Sequence, residues 1–134
     1  MPVVDTEILF ALSPKDPKHR RAIKLLRERE DLQAPDTAIA EFQIVLRARG
    51  RSPSQVRRAL LALHETLIRH QVKEVKTIST SLLALQCDLE EKYRLSYFDS
   101  LIAASALSLD HEVISDDQAF DRVLDLKRMP LSKG

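Results

Sequence analysis

The stretch that decides the fold is YFDSLIAASALSLDHEVISDD, residues 97–117. It begins with a run of small and apolar residues typical of a buried helix, continues into the short apolar run of residues 112–115, and ends in Asp116 and Asp117. A helix that leads into a short buried strand is a unit of parallel α/β proteins. The carboxylate of Asp99 opens the helix, and burying a charge is costly unless a partner neutralises it. The stretch therefore predicts a layered fold and a charge partner for Asp99.

The alternation of helices and short strands extends along the rest of the chain. Apolar runs at residues 3–4, 32–34, 75–78 and 112–115 are the predicted strands, and each lies between helical segments. We predict an α/β fold with three layers, in which helices cover a short, mainly parallel central sheet. Residues 1–134 are long enough to form one domain with its own core.

Several helices have clear sequence signals. Ser52 and Pro53 predict a helix start, and Val56, Leu60, Leu63 and Leu67 form its apolar stripe. Other expectations concern single residues: Asp16 with Pro17 as a helix start, Asp36 or Thr37 as an N-cap, Asp121 and Asp125 on the polar face of a last helix, and Cys87 as a buried small hydrophobe.

Composition excludes several classes of protein. The formal net charge of +1 leaves no general basic coat, and the two glycines, Gly50 and Gly134, cannot build a glycine-rich phosphate loop. The single cysteine cannot form an internal disulfide, and neither a signal peptide nor a membrane span is evident. We therefore expect a cytoplasmic protein that is not attached to a membrane.

Acids follow the predicted strands where ligands bind in parallel sheets, at the carboxyl ends. Asp5 follows the first strand, and Asp116 and Asp117 follow the last one, whereas Asp99 and Glu41 lie on apolar helices. Such carboxylates must either hold protons or share a cation, and Mg²⁺ and Mn²⁺ prefer oxygen ligands. Asp5, Asp99 and Asp117 could each equally be a helix N-cap, and that alternative stays open at this point. Histidines with zinc-ligand spacing are absent from the sequence.

Four motifs in the same order resemble the PIN-domain family of metal-dependent ribonucleases, which includes the VapC-type toxins of toxin–antitoxin pairs. The motifs are VVDTEILFAL, IAEFQIVL, YFDSLIAASAL and EVISDDQAFDRV, and together they span nearly the whole chain. The resemblance implies that Asp5, Glu41, Asp99 and Asp117 are the catalytic and metal-binding quartet. It further implies supporting hydroxyls at Thr6 and Ser115. Asp117 rather than Asp116 matches the family's acid, and Asp116 is kept as a supporting candidate because it follows the same strand. Glu7 and Ala119 depart from the family, which often has Asn or Ser and a further Asp at these positions.

The resemblance implies a single-stranded RNA endonuclease that uses Mg²⁺ or Mn²⁺ and hydrolyses phosphodiesters with a metal-bound water. It also implies a homodimer and, for a toxin, a small antitoxin protein as partner. Arg47, Arg49 and Arg51 follow the Glu41 helix and are candidate RNA contacts, although a solvated helix face explains them equally well.

Two other functions compete with this prediction. A catalytically inactive PIN-like module that binds RNA or protein is the main alternative, because Glu7 and Ala119 depart from the pattern. A receiver-type phosphoacceptor domain is disfavoured, because its aspartate after a middle strand and its lysine after a late strand are not found.

Overall fold

The computed structural model describes residues 1–131 of the chain. Its centre is a five-stranded sheet with strand order β3-β2-β1-β4-β5. The strands are β1 (Val3–Val4), β2 (Gln33–Pro35), β3 (Lys73–Val75), β4 (Glu112–Ile114) and β5 (Lys127–Met129). Each neighbouring pair in this sheet is parallel, and Val4 of β1 lies opposite Ile114 of β4.

Six α-helices flank the sheet within residues 1–131, so the predicted α/β fold with a parallel central sheet is confirmed. They are α1 (Thr6–Ala11), α2 (His19–Glu28), α3 (Asp36–Ala48), α4 (Pro53–Arg69), α5 (Thr80–Tyr93) and α6 (Tyr97–Leu107), and a short 3₁₀ helix (Gln118–Arg122) follows β4. None of the helices described in residues 1–131 has the length and apolar character needed to span a bilayer.

The core forms where the central strands meet α6. Val3 and Val4 of β1 and Val113 and Ile114 of β4 are essentially inaccessible to solvent. All seven residues from Ser100 to Ala106 on α6 are buried as well. Because several of these helical residues are alanine or serine, α6 packs closely against its neighbours and brings its first turn to the carboxyl edge of the sheet.

The N-terminal signals of α4 are confirmed. Ser52 is its N-cap, Pro53 opens it, and Ser52 and Gln55 form a reciprocal capping box. Val56, Leu63 and Leu67 are buried, and Leu60 packs against the core.

Other local expectations were wrong. The helix expected at Asp16 begins at His19, and α3 begins at Asp36 with Pro35 as its N-cap. Cys87 is exposed, because α5 directs Leu82, Gln86 and Leu89 inward and residue 87 lies on the opposite face.

The last helix that we expected around Asp121 and Asp125 is replaced by the 3₁₀ helix and β5. Asp121 instead pairs with Arg128 of β5, with Oδ1 2.9 Å from Nε. The third strand also lies slightly earlier than predicted, at Lys73–Val75.

Candidate active site

The four predicted acids come from separate elements that end or begin at the carboxyl edge of the sheet. Asp5 follows β1, Glu41 lies on α3, Asp99 lies in the first turn of α6, and Asp117 follows the turn after β4. Hydrogen bonds and mutual charge effects connect them, so the fold brings together residues separated by up to about 110 positions in sequence.

Asp5 is the most buried member, at 6% exposed. Its Oδ1 accepts from the backbone N–H of Thr6 at 2.7 Å, and its Oδ2 accepts from Ser115 Oγ at 2.6 Å. Burial raises the pKa of Asp5 from 3.8 to about 7, and the charges of Glu7 and Asp99 add to the rise, whereas the two hydrogen bonds oppose it. Asp5 is therefore an N-cap that also holds a proton near neutral pH.

Glu41 is tied to the start of α1 through Thr6. The Thr6 hydroxyl donates a hydrogen bond to Glu41 Oε1, which links α1 with α3. Partial burial raises the pKa of Glu41, and the hydrogen bond from Thr6 opposes this rise. Thr6, which was predicted to support the site, therefore contacts a member of the quartet directly.

Asp99 and Asp117 form a carboxyl–carboxylate pair. Burial raises the pKa of Asp99 to about 7, and its hydrogen bond with Asp117 and the charge of that residue raise it further. Ser96, and not Asp99, is the N-cap of α6, since Ser96 Oγ accepts from the Asp99 N–H at 3.1 Å. The capping alternative thus fails for Asp99, which leaves its carboxyl group available for the acidic cluster.

Asp117 does cap a helix while it faces Asp99. Its Oδ1 accepts from the Ala119 N–H at 2.9 Å, and its own N–H donates to Ser115 Oγ at 2.9 Å. Ser115 is fully buried, and its hydroxyl connects Asp117 with Asp5 through two hydrogen bonds. The capping and cluster interpretations of Asp5 and Asp117 are therefore compatible.

Asp116 points to a different set of partners. Its Oδ2 accepts from Lys18 Nζ at 2.8 Å, and its Oδ1 accepts from the Leu131 N–H at 2.8 Å. Glu7 also joins this group, because its Oε1 accepts from the Asp116 N–H at 2.6 Å. The sequence did not predict that Lys18, at the N-cap of α2, would lie near the site, because its partner Asp116 is far away in the sequence.

The three arginines that follow Glu41 are exposed. Arg49 lies over the Phe10 ring, with its guanidinium carbon 5.0 Å from the ring centre. Arg47 lines a cavity of about 360 Å³ between α3 and α4. Arg51 lies just beyond α3 and is exposed.

The acidic cluster fits a hard divalent cation in its donor chemistry. All four side chains offer carboxylate oxygens, and three of them hold protons more firmly than free carboxyl groups do. Within residues 1–131, however, no group of three or more Asp, Glu, His or Cys side chains is arranged as a finished ligand set. Binding of a metal ion would thus require these carboxyl groups to release the protons that their raised pKa values favour.

The α/β fold thus gathers carboxylates at the ends of its central parallel strands, where they present oxygen atoms of the kind that hard divalent cations prefer. The sequence matches the PIN domain over residues 3–126, so the chain belongs to the PIN-domain family, whose members are nucleases. A search of curated proteins gives no match.

Solved structures with the same fold include several toxin–antitoxin proteins. A toxin–antitoxin complex from Klebsiella pneumoniae is 20% identical with a TM-score of 0.66, over 94% of this chain and 95% of that chain. VapBC2 from Rickettsia felis, bound to a DNA fragment from its promoter, is 16% identical with a TM-score of 0.68, over 96% of each chain. VapC20 from Mycobacterium tuberculosis, a toxin that cleaves the sarcin-ricin loop, is 16% identical with a TM-score of 0.69, over 88% and 91%.

Proposed function

We propose that this protein is a metal-dependent endonuclease of single-stranded RNA and the toxin of a toxin–antitoxin pair. The observation that carries the proposal is the convergence of Asp5, Glu41, Asp99 and Asp117 on one edge of the sheet. Membership in a nuclease family supports hydrolysis, and the likeness to a toxin that cleaves the sarcin-ricin loop supports RNA as the substrate.

The quartet would hold Mg²⁺ or Mn²⁺. Such an ion, when bound, would offset phosphate charge and lower the pKa of a water molecule coordinated to it. Asp5 and Asp99 would release their protons as the site is loaded, since both keep a proton near neutral pH in the free protein. Ser115 orients the Asp5 carboxylate, and Thr6 orients Glu41. Asp117 is held by its own capping bond, so its carboxylate is fixed toward Asp99.

The first test is cleavage of a total-RNA pool by the purified protein in Mg²⁺, in Mn²⁺ and in EDTA. Asp99→Asn is compared with Asp88→Asn, a change at an exposed aspartate on α5. We expect cleavage that requires metal, persists in the Asp88 variant, and falls at least about 100-fold in the Asp99 variant.

Cleavage that survives in EDTA or in Asp99→Asn would show that this quartet is not the active site. Binding of RNA without cleavage in any metal would favour the alternative function, a catalytically inactive PIN-like module that binds RNA or protein. Glu7 and Ala119 are the departures that make this alternative worth testing.

For the antitoxin partner, we propose the cavity of about 360 Å³ between α3 and α4 as the docking groove. Its apolar residues, Val56, Leu60 and Leu61, suit an amphipathic peptide, and Arg47 and Arg57 at its walls suit acidic residues on that peptide. Replacing Leu61 with Asp should abolish capture of the co-expressed antitoxin while RNA cleavage persists.

A homodimer in the cytoplasm completes the proposal. The exposed Ile68 side chain, farther along α4 than the proposed antitoxin groove, offers an apolar contact for self-association. Light scattering coupled to size exclusion would establish the mass in solution, and a monomer at all concentrations would contradict the dimer.

A further inference from the structure

The turn that follows β4 is held by a side chain from the opposite end of the sequence. Glu7 Oε1 accepts from the Asp116 N–H at 2.6 Å, and Ser115 Oγ lies 3.5 Å from the same oxygen. The turn itself connects Ser115, which contacts Asp5, with Asp117, which contacts Asp99. Glu7 therefore binds the backbone of a segment that contacts both Asp5 and Asp99.

Lys18 completes this arrangement from the start of α2. Its Nζ lies 2.8 Å from Asp116 Oδ2 and 3.7 Å from Glu7 Oε2. Two carboxylates this close would repel each other, and the ammonium group between them offsets that repulsion. We call Glu7, Lys18 and Asp116 the rim cluster.

The rim cluster joins segments that the sheet alone does not fix. Glu7 belongs to α1, Lys18 precedes α2, and Asp116 lies after β4 and also accepts from the Leu131 N–H beyond β5. Within the turn, the Ser115 N–H still donates to Met129 O of β5 at 3.0 Å, whereas the N–H groups of Asp116 and Asp117 donate to side-chain oxygens of Glu7 and Ser115. Side-chain contacts therefore contribute to the conformation of the turn beyond the point where the sheet pairing ends.

We propose that Glu7 is a positioning residue that holds the 115–117 turn in the conformation that aligns Ser115 and Asp117 with the acidic cluster. Lys18 keeps Glu7 in place by bridging it to Asp116. The inference rests on the proposed function for its consequence in catalysis, whereas the positioning itself concerns only the folded protein. It also gives a structural role to a residue that departs from the family pattern.

The test compares Glu7→Gln, which keeps an oxygen acceptor, with Glu7→Ala, which removes it. Glu28→Ala serves as the matched control, because Glu28 pairs only at 3.9 Å with Lys24 on the exposed face of α2. Amide proton shifts and exchange rates of Asp116 and Asp117 are followed by NMR without metal, and kcat and KM are measured separately on RNA.

We expect Glu7→Ala to accelerate exchange of the Asp116 amide by about tenfold and to lower kcat by about 10- to 100-fold with little change in KM. Glu7→Gln should retain most of both values, and Glu28→Ala should change neither. If Glu7→Ala does not fold, Lys18→Met against Lys24→Met provides the same comparison, and only Lys18→Met should show the effect.

Unchanged amides in folded Glu7→Ala would overturn the positioning role. A kcat that falls equally in Glu7→Gln and Glu7→Ala would also overturn it, because charge and not turn geometry would then be decisive. If the wild-type protein cleaves no RNA, the proposed function fails while the NMR comparison still decides whether Glu7 holds the turn.

Discussion

Ser115 Oγ, at the end of β4, lies 2.6 Å from Asp5 Oδ2, at the end of β1. The two strands are neighbours in the sheet, with Val4 opposite Ile114, so the sheet register itself sets this contact. The Ser115 hydroxyl is an uncharged donor, so it satisfies the buried Asp5 carboxyl group without placing a second charge in the core. It also accepts from the Asp117 N–H, so one side chain serves two members of the cluster.

Ser115→Ala should raise the pKa of Asp5 above its value of about 7, because the hydrogen bond that it removes is one that lowers this pKa. Carbon-detected NMR titration of the carboxyl groups measures this directly. Removal of a buried hydrogen bond should also reduce the free energy of unfolding by about 1–3 kcal/mol. Ser108→Ala is the control, since its hydroxyl bonds only locally, to Ser105 O at 2.8 Å, and an equal pKa change there would contradict the prediction.

The metal-free protein should lose stability as the pH rises from about 4 to about 7. The folded state keeps protons on Asp5 and Asp99 up to about pH 7, whereas the unfolded chain releases them near 3.8, so the folded state binds more protons in this window. Thermal unfolding in EDTA at a series of pH values measures the trend. Mn²⁺ should restore the stability at pH 8 and have little effect at pH 5; a flat profile would mean that neither carboxyl group is perturbed.

Asp99→Asn should make the metal-free protein more stable at pH 8 and leave it nearly unchanged at pH 5. Asparagine cannot ionise, so both the cost of burying a charge at residue 99 and its repulsion with residue 117 disappear, and the difference exists only where Asp99 is charged. Unfolding midpoints of wild type and variant at both pH values give the measurement. A variant that is less stable at pH 8 would show that Asp99 has a structural partner that the present contacts do not include.

Asp36→Ala should reduce the free energy of unfolding by about 2 kcal/mol or more, measured by urea titration. Its carboxylate accepts from the Thr77 N–H and hydroxyl at 2.9 and 2.7 Å and from the Ile78 N–H at 3.0 Å. These bonds tie the start of α3 to the segment after β3. Asp88→Ala, at an exposed position on α5, should change the free energy of unfolding little. Equal destabilisation in the two variants would show that the bonds from Asp36 to Thr77 and Ile78 make no specific contribution.

Arg47→Gln and Arg51→Gln should weaken RNA binding and make it less dependent on salt, if these exposed side chains bind phosphates. For single-stranded RNA, the slope of log affinity against log salt should fall by about 0.7 for each phosphate that is no longer bound. Arg69→Gln, on the exposed end of α4, is the matched control. Slopes that are the same for all three variants would assign RNA binding to another surface.

The central parts of the fold were predictable because burial there leaves a simple pattern. Val3–Val4 and Glu112–Ile114 are apolar runs between helices, and they occupy the middle of the sheet as expected. β5 was missed because its residues, Lys127–Met129, are charged at two of three positions and the strand lies at the sheet edge. Edge strands carry little of the burial signal from which strands are inferred.

Asp5 and Asp117 were singled out because they follow strands, and Glu41 and Asp99 because they lie on apolar helices, but the contacts of these acids could not be predicted. Ser96 caps α6 from three residues before Asp99, and only the backbone geometry distinguishes it from Asp99 as the cap. Lys18 approaches Asp116 across 98 residues of sequence, a contact that no local pattern encodes. Residue types and spacing thus indicated which elements meet. The side chains that hold the acids in place, such as Ser96 and Lys18, could be identified only from the three-dimensional structure.

The central position of β1 in the sheet has a consequence for synthesis on the ribosome. β1 emerges first, yet one of its neighbours is β4, whose residues appear more than 100 positions later. Until residues 112–117 leave the exit tunnel, Asp5 lacks its partner Ser115 and Asp99 lacks its partner Asp117. The nascent chain can therefore assemble the acidic cluster only after residues 112–117 have emerged, when most of the chain has already been made.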